Sequence, residues 1–434
     1  MDWRKQYADK IVTAEEAVRH IKSGDRVLLG HAAGEPLSLT DALTANKEQY
    51  RDVEITHFVA MGKSEYCLPE MAGHFCHNSL FLGVSTRRAI EDGRGIFTPT
   101  FLSDCMELYR TILRPDVTLC QISTPDRHGF CSFGVSVDYT KPGAALSDLV
   151  IAEVNEQYPR TLGDSFIHLS EIDYLVPVSR PVIELRNAVL TDVEKTIGRN
   201  CADIIEDGST LQLGIGAIPD AVLAALSEKN DLGIHTEMLP NGVVDLYERG
   251  VITNRAKTYK PGKMLATFIM GSRKLYDFVD NNPAVEMHDC EFINDPYIIR
   301  RNDRMVAVNS CVQVDFTGQV CSESVGTRQI SASGGQVDFF RGANMSKGGK
   351  AIIAMTSTTH GGKVSRILPF LDQGAVVTTC RNDVNYVVTE YGMAQLRGRS
   401  TRERARRLIN IAHPDFRPAL TAKFEELFKC RFQP

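Results

Sequence analysis

The chain of 434 residues is long enough to form two or three domains, each with its own core. A composition of 43% hydrophobic and 24% charged residues is typical of globular proteins. The net charge of −5 and the lack of a long basic run argue against nucleic-acid binding. The N-terminal stretch is charged throughout, and no run of about 18 apolar residues occurs, so we expect a cytoplasmic protein without a membrane partner.

The eleven cysteines are scattered and form no CxxC pair. An odd, unpaired set of this kind favours free thiols in a reducing compartment. His74, Cys76 and His77 are residue types that bind zinc, but no second ligand pair follows at a fitting distance. We therefore predict no metal site.

The first half of the chain alternates predicted helices and strands. Thr13 and Glu16 have the spacing of a capping box, which predicts a helix running to about Ile21. Apolar runs predict buried strands at residues 26–30, 53–59, 117–122 and 149–154. Alternation of this kind is typical of parallel βαβ units.

Part of this pattern returns in the second half. Residues 205–219 repeat the order of residues 21–36: the apolar end of a helix, a turn glycine, a strand, a glycine-containing loop and a proline. Residues 126–131 and 315–321 also resemble each other in spacing, at nearly the same offset. Repetition in the same order predicts two related halves.

We therefore predict an α/β fold with two related open α/β domains, each built on a mostly parallel sheet. The expected domains are residues 1–185 and residues 186–434, joined near residues 180–192. An active-site cleft is expected between them, since ligands commonly bind between lobes.

The stretch around Glu237 is the leading candidate for a functional site. Apolar residues at 232 and 234 lead into His235, Thr236 and Glu237, and a Pro-Asn-Gly sequence follows at residues 240–242. This pattern predicts a buried strand that ends in a loop, with the glutamate at or near the carboxyl end of the strand. Ligands of open α/β sheets bind at the carboxyl ends of the strands, where a carboxylate can act as base, acid, metal ligand or nucleophile. The structural alternative is a glutamate that caps the next helix.

Two small-residue loops accompany this glutamate. Residues 214–216 (Gly-Ile-Gly) lie between a predicted strand and a predicted helix, where backbone N–H groups can face an anion or an oxyanion. The dinucleotide fingerprint GxGxxG is incomplete, because Pro219 occupies the position of its last glycine. The second loop, residues 331–342, suits either close approach of a ligand or a tight turn.

Nearly the whole chain resembles the acetyl-CoA hydrolase/transferase family. The resemblance is specific in the combination of LQLGIGAIPDAVL, GIHTEM and GGQVDF, and it extends from SGDRVL and IAEVNEQ to YVVTEYG and INIAHPDF. It implies that Glu237 is a catalytic nucleophile, that Asn294 lies near it, and that Lys363 binds a CoA phosphate. It also implies that two loops serve CoA and the oxyanion, through Gly214, Ile215, Gly216, Ala217, Ile218, Gly334 and Gly335.

The activity implied by this resemblance is transfer of CoA from an acyl-CoA, here acetyl-CoA, to a short-chain carboxylic acid, here 4-hydroxybutyrate. The expected mechanism is ping-pong, through a glutamyl-CoA thioester, so coenzyme A is substrate and covalent intermediate and no cofactor is permanently bound. We also expect a homo-oligomer. The alternatives are transfer from butyryl-CoA to acetate, acyl-CoA hydrolysis, and a non-catalytic module that senses CoA or a sugar phosphate.

Overall fold

The computed structural model describes residues 2–433, which form two compact units. The first unit contains the chain up to Arg186 together with Leu265–Ile293, and the second contains Asn187–Met264 and the chain from Asn294 onward. The domains expected at residues 1–185 and 186–434 differ from these units in the segment Leu265–Ile293. This segment belongs to the first unit because its Met287 exchanges backbone hydrogen bonds with residues 162 and 164, each 2.8 Å long.

The first unit is built on a seven-stranded sheet in which every neighbouring pair is parallel. In order across the sheet, its strands are Ile96–Phe97, Phe75–Ser79, Val53–His57, Arg26–Leu29, Val117–Ser123, Leu149–Asn155 and Tyr174–Val178. Every residue of Val117–Ser123 is buried, as is typical of a parallel strand covered on both faces.

Helices connect these strands, and the first of the predicted helices begins at the expected cap. Thr13 Oγ1 accepts a hydrogen bond from the Glu16 backbone N–H at 3.1 Å, and Glu16 Oε2 accepts one from the Thr13 N–H at 2.9 Å. This helix, Ala14–Val18, ends before the predicted Ile21. The α-helices of the first unit are Trp3–Gln6, Ala14–Val18, Leu37–Ala45, Arg87–Glu91, Cys105–Thr111, Thr140–Leu146, Arg273–Val279 and Cys290–Ile293.

The second unit is built on a six-stranded sheet. In order across the sheet, its strands are Gly233–Ile234, Thr210–Leu213, Met305–Asn309, Lys350–Ala354, Tyr386–Thr389 and Gly392–Gln395. All neighbours are parallel except the last pair, which is antiparallel. Its α-helices are Asp192–Ala202, Ala217–Ala225, Gly242–Glu248, Pro296–Ile299, Gln336–Met345, Thr401–Asn410 and Arg417–Phe428. Within residues 2–433, none of the helices has the length and apolarity needed to cross a membrane.

The two units share a topology and local detail, which confirms the prediction of an α/β fold with mostly parallel sheets. In the first sheet, Arg26–Leu29 lies between Val53–His57 and Val117–Ser123. In the second sheet, Thr210–Leu213 lies in the same way between Gly233–Ile234 and Met305–Asn309. The turns at Asp126 and Asp315 also match. In each, the aspartate Oδ1 accepts from the backbone N–H groups two and four residues later, and a glycine with positive φ follows, Gly129 at 88° and Gly318 at 92°.

Two buried histidines stack in the first unit. The ring centroids of His57 and His77 lie 4.4 Å apart, and each residue is 1% exposed. His57 donates to the Phe58 carbonyl and accepts from the Tyr66 hydroxyl at 2.6 Å, while His77 donates to the Ile55 carbonyl at 3.0 Å. Burial is the main cause that lowers the pKa of His57 well below its usual value, and it lowers the pKa of His77 to about 4.

We predict that His77 makes the protein sensitive to acid. The unfolded chain protonates this histidine below a pKa of 6.5, whereas the folded protein resists protonation until about pH 4, so stability present above pH 6.5 is lost as the pH falls through this window. His77→Asn keeps an N–H for the Ile55 carbonyl but cannot titrate. Between pH 8 and pH 5, its free energy of unfolding in urea should fall by about 2 kcal/mol less than that of the wild type.

The matched control for this measurement is His128→Asn, because His128 is exposed on the same unit. This variant should keep the pH dependence of the wild type. An unchanged pH dependence in His77→Asn would contradict the assignment of acid sensitivity to the buried ring.

Candidate active site

Glu237 follows the strand Gly233–Ile234, at the carboxyl edge of the second sheet. The glutamate is half-buried. The loop that carries it is fixed by Thr236, whose hydroxyl lies 3.4 Å from the Leu213 carbonyl and 2.9 Å from the Met238 carbonyl. The neighbouring strand ends at Leu213, so the glutamate and the loop that begins at residue 214 lie at the same edge of the sheet.

The Glu237 carboxylate is held by a buried amide. Asn294 is 0% exposed, and its Nδ2 donates to Glu237 Oε2 at 2.8 Å. The same nitrogen lies 3.3 Å from Asp338 Oδ2, a carboxylate in the first turn of the helix Gln336–Met345. One amide group therefore lies between two carboxylates.

Gly335 leaves the space that Glu237 occupies. A Cβ atom at this position would overlap Glu237 Oε2 and Asn294 Nδ2, and it would lie 3.0 Å from Glu237 Cδ. The φ of Gly335 is −96°, which any residue adopts, so glycine is required here by the close approach and not by the backbone. Gly334 differs, since its φ of 52° lies in the left-handed region that favours glycine.

The loop of residues 214–218 joins the strand Thr210–Leu213 to the helix Ala217–Ala225. Gly216 precedes the helix with a φ of 105°, and nothing lies within 4 Å of the place where its Cβ would be. Ile215 is 51% exposed, although it is a large apolar residue. Ala217 and Ile218 form the first turn of the helix, so the loop presents an accessible helix N-terminus at the edge where Glu237 lies.

Lys363 lies on a different element. It is exposed in the turn that joins the paired strands Thr358–Thr359 and Val364–Ser365. The predicted site residues thus form one close group, Glu237, Asn294 and Gly335, with the 214–218 loop at the same sheet edge and Lys363 on a separate hairpin.

The histidines considered as metal ligands have other contacts. His74 Nδ1 lies 2.9 Å from the Tyr50 carbonyl, and His77 Nδ1 lies 3.0 Å from the Ile55 carbonyl. Cys76 and His77 are consecutive in a strand, so their side chains point to opposite faces. Throughout residues 2–433, no three His, Cys, Asp or Glu side chains are grouped so that they could hold a metal ion.

Two side chains around the site were not identified from the sequence. Asp338 is 2% exposed, and the sequence placed it only within the small-residue loop predicted for residues 331–342. Asn302 Nδ2 lies 2.9 Å from Nδ1 of His235, the residue two positions before the glutamate. The contact of Asp338 with Asn294 and that of Asn302 with His235 each join residues far apart in the sequence.

The sequence matches one known family along most of its length. Residues 1–184 match the acetyl-CoA hydrolase/transferase N-terminal domain, and residues 271–424 match the acetyl-CoA hydrolase/transferase C-terminal domain. A 4-hydroxybutyrate coenzyme A transferase from Clostridium kluyveri is 58% identical over 99% of this chain and 100% of its own length. The chain therefore belongs to the acetyl-CoA hydrolase/transferase family.

Other relatives share the architecture at lower identity. A butyryl-CoA:acetate CoA-transferase from Anaerostipes caccae is 38% identical over 98% of each chain. The crystal structure of a 4-hydroxybutyrate CoA-transferase from Porphyromonas gingivalis superposes with a TM-score of 0.85 at 41% identity, covering 98% of this chain and 100% of that one. The protein is accordingly an enzyme of the CoA-transferase class, with coenzyme A as a substrate, and the alternative of a non-catalytic sensor is wrong.

We predict that Gly335→Ala folds but transfers CoA poorly. Alanine adopts a φ of −96° without strain, but its Cβ must displace the Glu237 carboxylate or the Asn294 amide. Misplacement of a reacting group by about 1 Å can cost on the order of a hundredfold in rate. The measurement is steady-state CoA transfer, with the thermal unfolding midpoint recorded for the same preparation.

Gly83→Ala is the matched control. The nearest atom to a Cβ at this position is a backbone oxygen at 3.5 Å, an ordinary contact distance, and Gly83 does not have a positive φ. This variant should keep wild-type transfer. If Gly335→Ala also kept it, the close approach to Glu237 would have no catalytic importance.

Proposed function

We propose that this CoA-transferase moves CoA from acetyl-CoA to 4-hydroxybutyrate by a ping-pong mechanism, with Glu237 as the nucleophile. One observation carries the proposal: the Glu237 carboxylate stands at a sheet edge, held by Asn294 and backed by a glycine that leaves room for it. A capping glutamate needs neither an amide partner nor space cleared on its other side. A nucleophile needs both, because its reacting atoms must be held in one geometry.

The chemistry suits a carboxylate in this position. Glu237 attacks the thioester carbonyl of the acyl-CoA, and CoA thiolate leaves as an acyl-glutamyl anhydride forms. The thiolate then attacks the glutamyl carbonyl, which releases the first acid and leaves a glutamyl-CoA thioester. The second acid reverses these steps and departs as its CoA ester, so the enzyme returns to its starting state.

Each attack places negative charge on a carbonyl oxygen, and the site offers groups that can stabilise it. Asn294 Nδ2 already donates to Glu237 Oε2, the atom that carries this charge when the thiolate attacks the glutamyl carbonyl. The helix Gln336–Met345 begins directly after Gly335, so the positive end of its dipole lies beside the carboxylate. Loss of one preorganised donor typically raises a barrier of this kind by about 3–4 kcal/mol.

The loop of residues 214–218 suits the CoA arm. Gly216 leaves open space next to an exposed helix N-terminus, where an extended chain with polar groups can approach the backbone. Exposed Ile215 offers apolar surface at the same place. We assign Lys363, on its separate hairpin, to a CoA phosphate, because it is an exposed cation that can follow a flexible ligand.

The choice of 4-hydroxybutyrate rests on how similar this chain is to each of its relatives. The chain is 58% identical to a 4-hydroxybutyrate transferase and 38% identical to a butyryl-CoA:acetate transferase, both over nearly the full length. The alternatives are butyryl-CoA to acetate transfer and hydrolysis. Hydrolysis uses the same glutamyl intermediate with water as acceptor, so a transferase must exclude water during the covalent stage.

We predict that Glu237 becomes covalently attached to CoA. Incubation with acetyl-CoA in the absence of an acceptor, followed by borohydride, should convert the Glu237 side chain to an alcohol that mass spectrometry locates in one peptide. Glu237→Ala should lose this label, and its transfer rate should fall by about 10⁴-fold or more, because no other group can form the intermediate. Glu237→Asp should also fail, since the carboxylate is withdrawn by one methylene.

Glu228→Ala serves as the control, because Glu228 is exposed on the same unit. It should keep both the label and the rate. A label found on another residue, or full transfer by Glu237→Ala, would end the nucleophile assignment.

We predict that 4-hydroxybutyrate is the preferred acceptor. With acetyl-CoA as donor, kcat/KM for 4-hydroxybutyrate should exceed the values for butyrate, propionate and succinate, and hydrolysis without an acceptor should be slow. Initial rates measured at several fixed concentrations of each substrate should give parallel double-reciprocal lines, as a ping-pong mechanism requires. A large preference for another acid would refute the acceptor and leave the mechanism intact.

A further inference from the structure

Asp338 is a buried acidic residue next to the site, and the proposed mechanism gives it no role. It is 2% exposed and occupies the third position of the helix Gln336–Met345, with buried Val337 and Phe339 on either side. Its Oδ2 lies 3.3 Å from Asn294 Nδ2, the nitrogen that donates to Glu237 Oε2 at 2.8 Å. A buried charge at this position is costly to the fold unless its partners compensate it.

The Asn294 amide has a donor, Nδ2, at one end and an acceptor, Oδ1, at the other. Its orientation therefore decides which of these atoms faces the Glu237 carboxylate. With Nδ2 toward the two carboxylates, both contacts are attractive. A flipped amide would place Oδ1 against two carboxylates. Oδ1 is buried and has no hydrogen-bond partner among residues 2–433, so no hydrogen bond to Oδ1 fixes the orientation. The carboxylates of Glu237 and Asp338 therefore fix it.

Only one of these side chains keeps the same covalent form through the proposed reaction. When Glu237 is part of the anhydride or the thioester, its oxygen is a neutral carbonyl and attracts the amide less strongly. The next step needs the same N–H, because attack on the glutamyl carbonyl puts negative charge on that oxygen. Asp338 takes no part in bond making, so its oxygen remains available to the amide throughout.

We infer that Asp338 is a positioning residue that keeps the Asn294 amide turned toward Glu237 while Glu237 is acylated. This inference rests on the proposed function, since it concerns the covalent stage. Asp338 acts through Asn294, so its removal matters only where the amide is present. This dependence separates the inference from a structural role, in which a loss at Asp338 would add to a loss at Asn294.

The test is a double-mutant cycle with Asp338→Asn and Asn294→Ala. Asp338→Asn retains the shape but permits the Asn294 amide to flip, so the rate of Glu237 labelling by acetyl-CoA and borohydride should fall by about 10- to 100-fold. KM for the acceptor acid should change little. In the double variant the rate should be no lower than in Asn294→Ala alone. Multiplied losses in the double variant, or a wild-type rate in Asp338→Asn, would overturn the inference.

Asp315→Asn is the matched control. Asp315 is 3% exposed in the same unit and holds a turn by accepting from the Thr317 and Gln319 backbone N–H groups. Its substitution should lower the thermal unfolding midpoint, and any change in labelling should be the same with and without Asn294→Ala. If Asp338→Asn does not fold, Asp338→Ser replaces it in the cycle, and failure of both to fold would make the residue structural and overturn the inference.

Borohydride labelling of Glu237 in the wild-type protein distinguishes a failure of this inference from a failure of the proposed function. If borohydride leaves Glu237 unlabelled in the wild type, the proposed nucleophile is wrong, and the inference falls with it. If the wild type is labelled at Glu237 and the cycle is additive, the nucleophile stands and only the role of Asp338 is wrong.

Discussion

The arrangement of the second unit around its site depends on one hydrogen bond, from Asn294 Nδ2 to Glu237 Oε2. A glutamate side chain has three rotatable bonds, so without a partner its carboxylate would sample many positions. The amide limits the carboxylate on one side. On the other side, Gly335 provides room that any other residue would fill. A flexible acid thus becomes a group with a defined place, which is the first requirement of a nucleophile.

The parallel sheet explains why these residues meet although they are distant in the sequence. Strands Thr210–Leu213 and Gly233–Ile234 run in the same direction, so the loops that follow them emerge at one edge. The helix Gln336–Met345 turns its N-terminus toward the glutamate, as the close approach of Gly335 requires. The fold therefore supplies a carboxylate, an amide and a helix N-terminus within one unit.

Much of this arrangement could be predicted from local sequence. The strand before Glu237, the helix cap at Thr13 and the matching turns at Asp126 and Asp315 all rest on patterns a few residues long, which local physics decides. The motifs shared with the family predicted that Asn294 and Gly335 belong to the site.

What could not be predicted depends on contacts between distant residues. The reason for glycine at 335 is the position of a side chain about a hundred residues earlier, and not a positive φ. Asp338 is part of a quoted motif, but its approach to Asn294 exists only in three dimensions. The membership of Leu265–Ile293 in the first unit likewise depends on backbone hydrogen bonds of Met287 to a loop more than a hundred residues away.

The contact with Asn294 also makes the two oxygen atoms of Glu237 chemically distinct. Oε2 is held by the amide and backed by Gly335, so in the proposed mechanism the attack falls to Oε1. The attacking oxygen leaves within the first product acid, and an oxygen of the second acid takes its place. If turnover follows this mechanism, one oxygen of this side chain is continually replaced by atoms from dissolved carboxylates. The other remains the atom that entered the protein when it was synthesised, so acids labelled with heavy oxygen would mark a single position of the carboxylate.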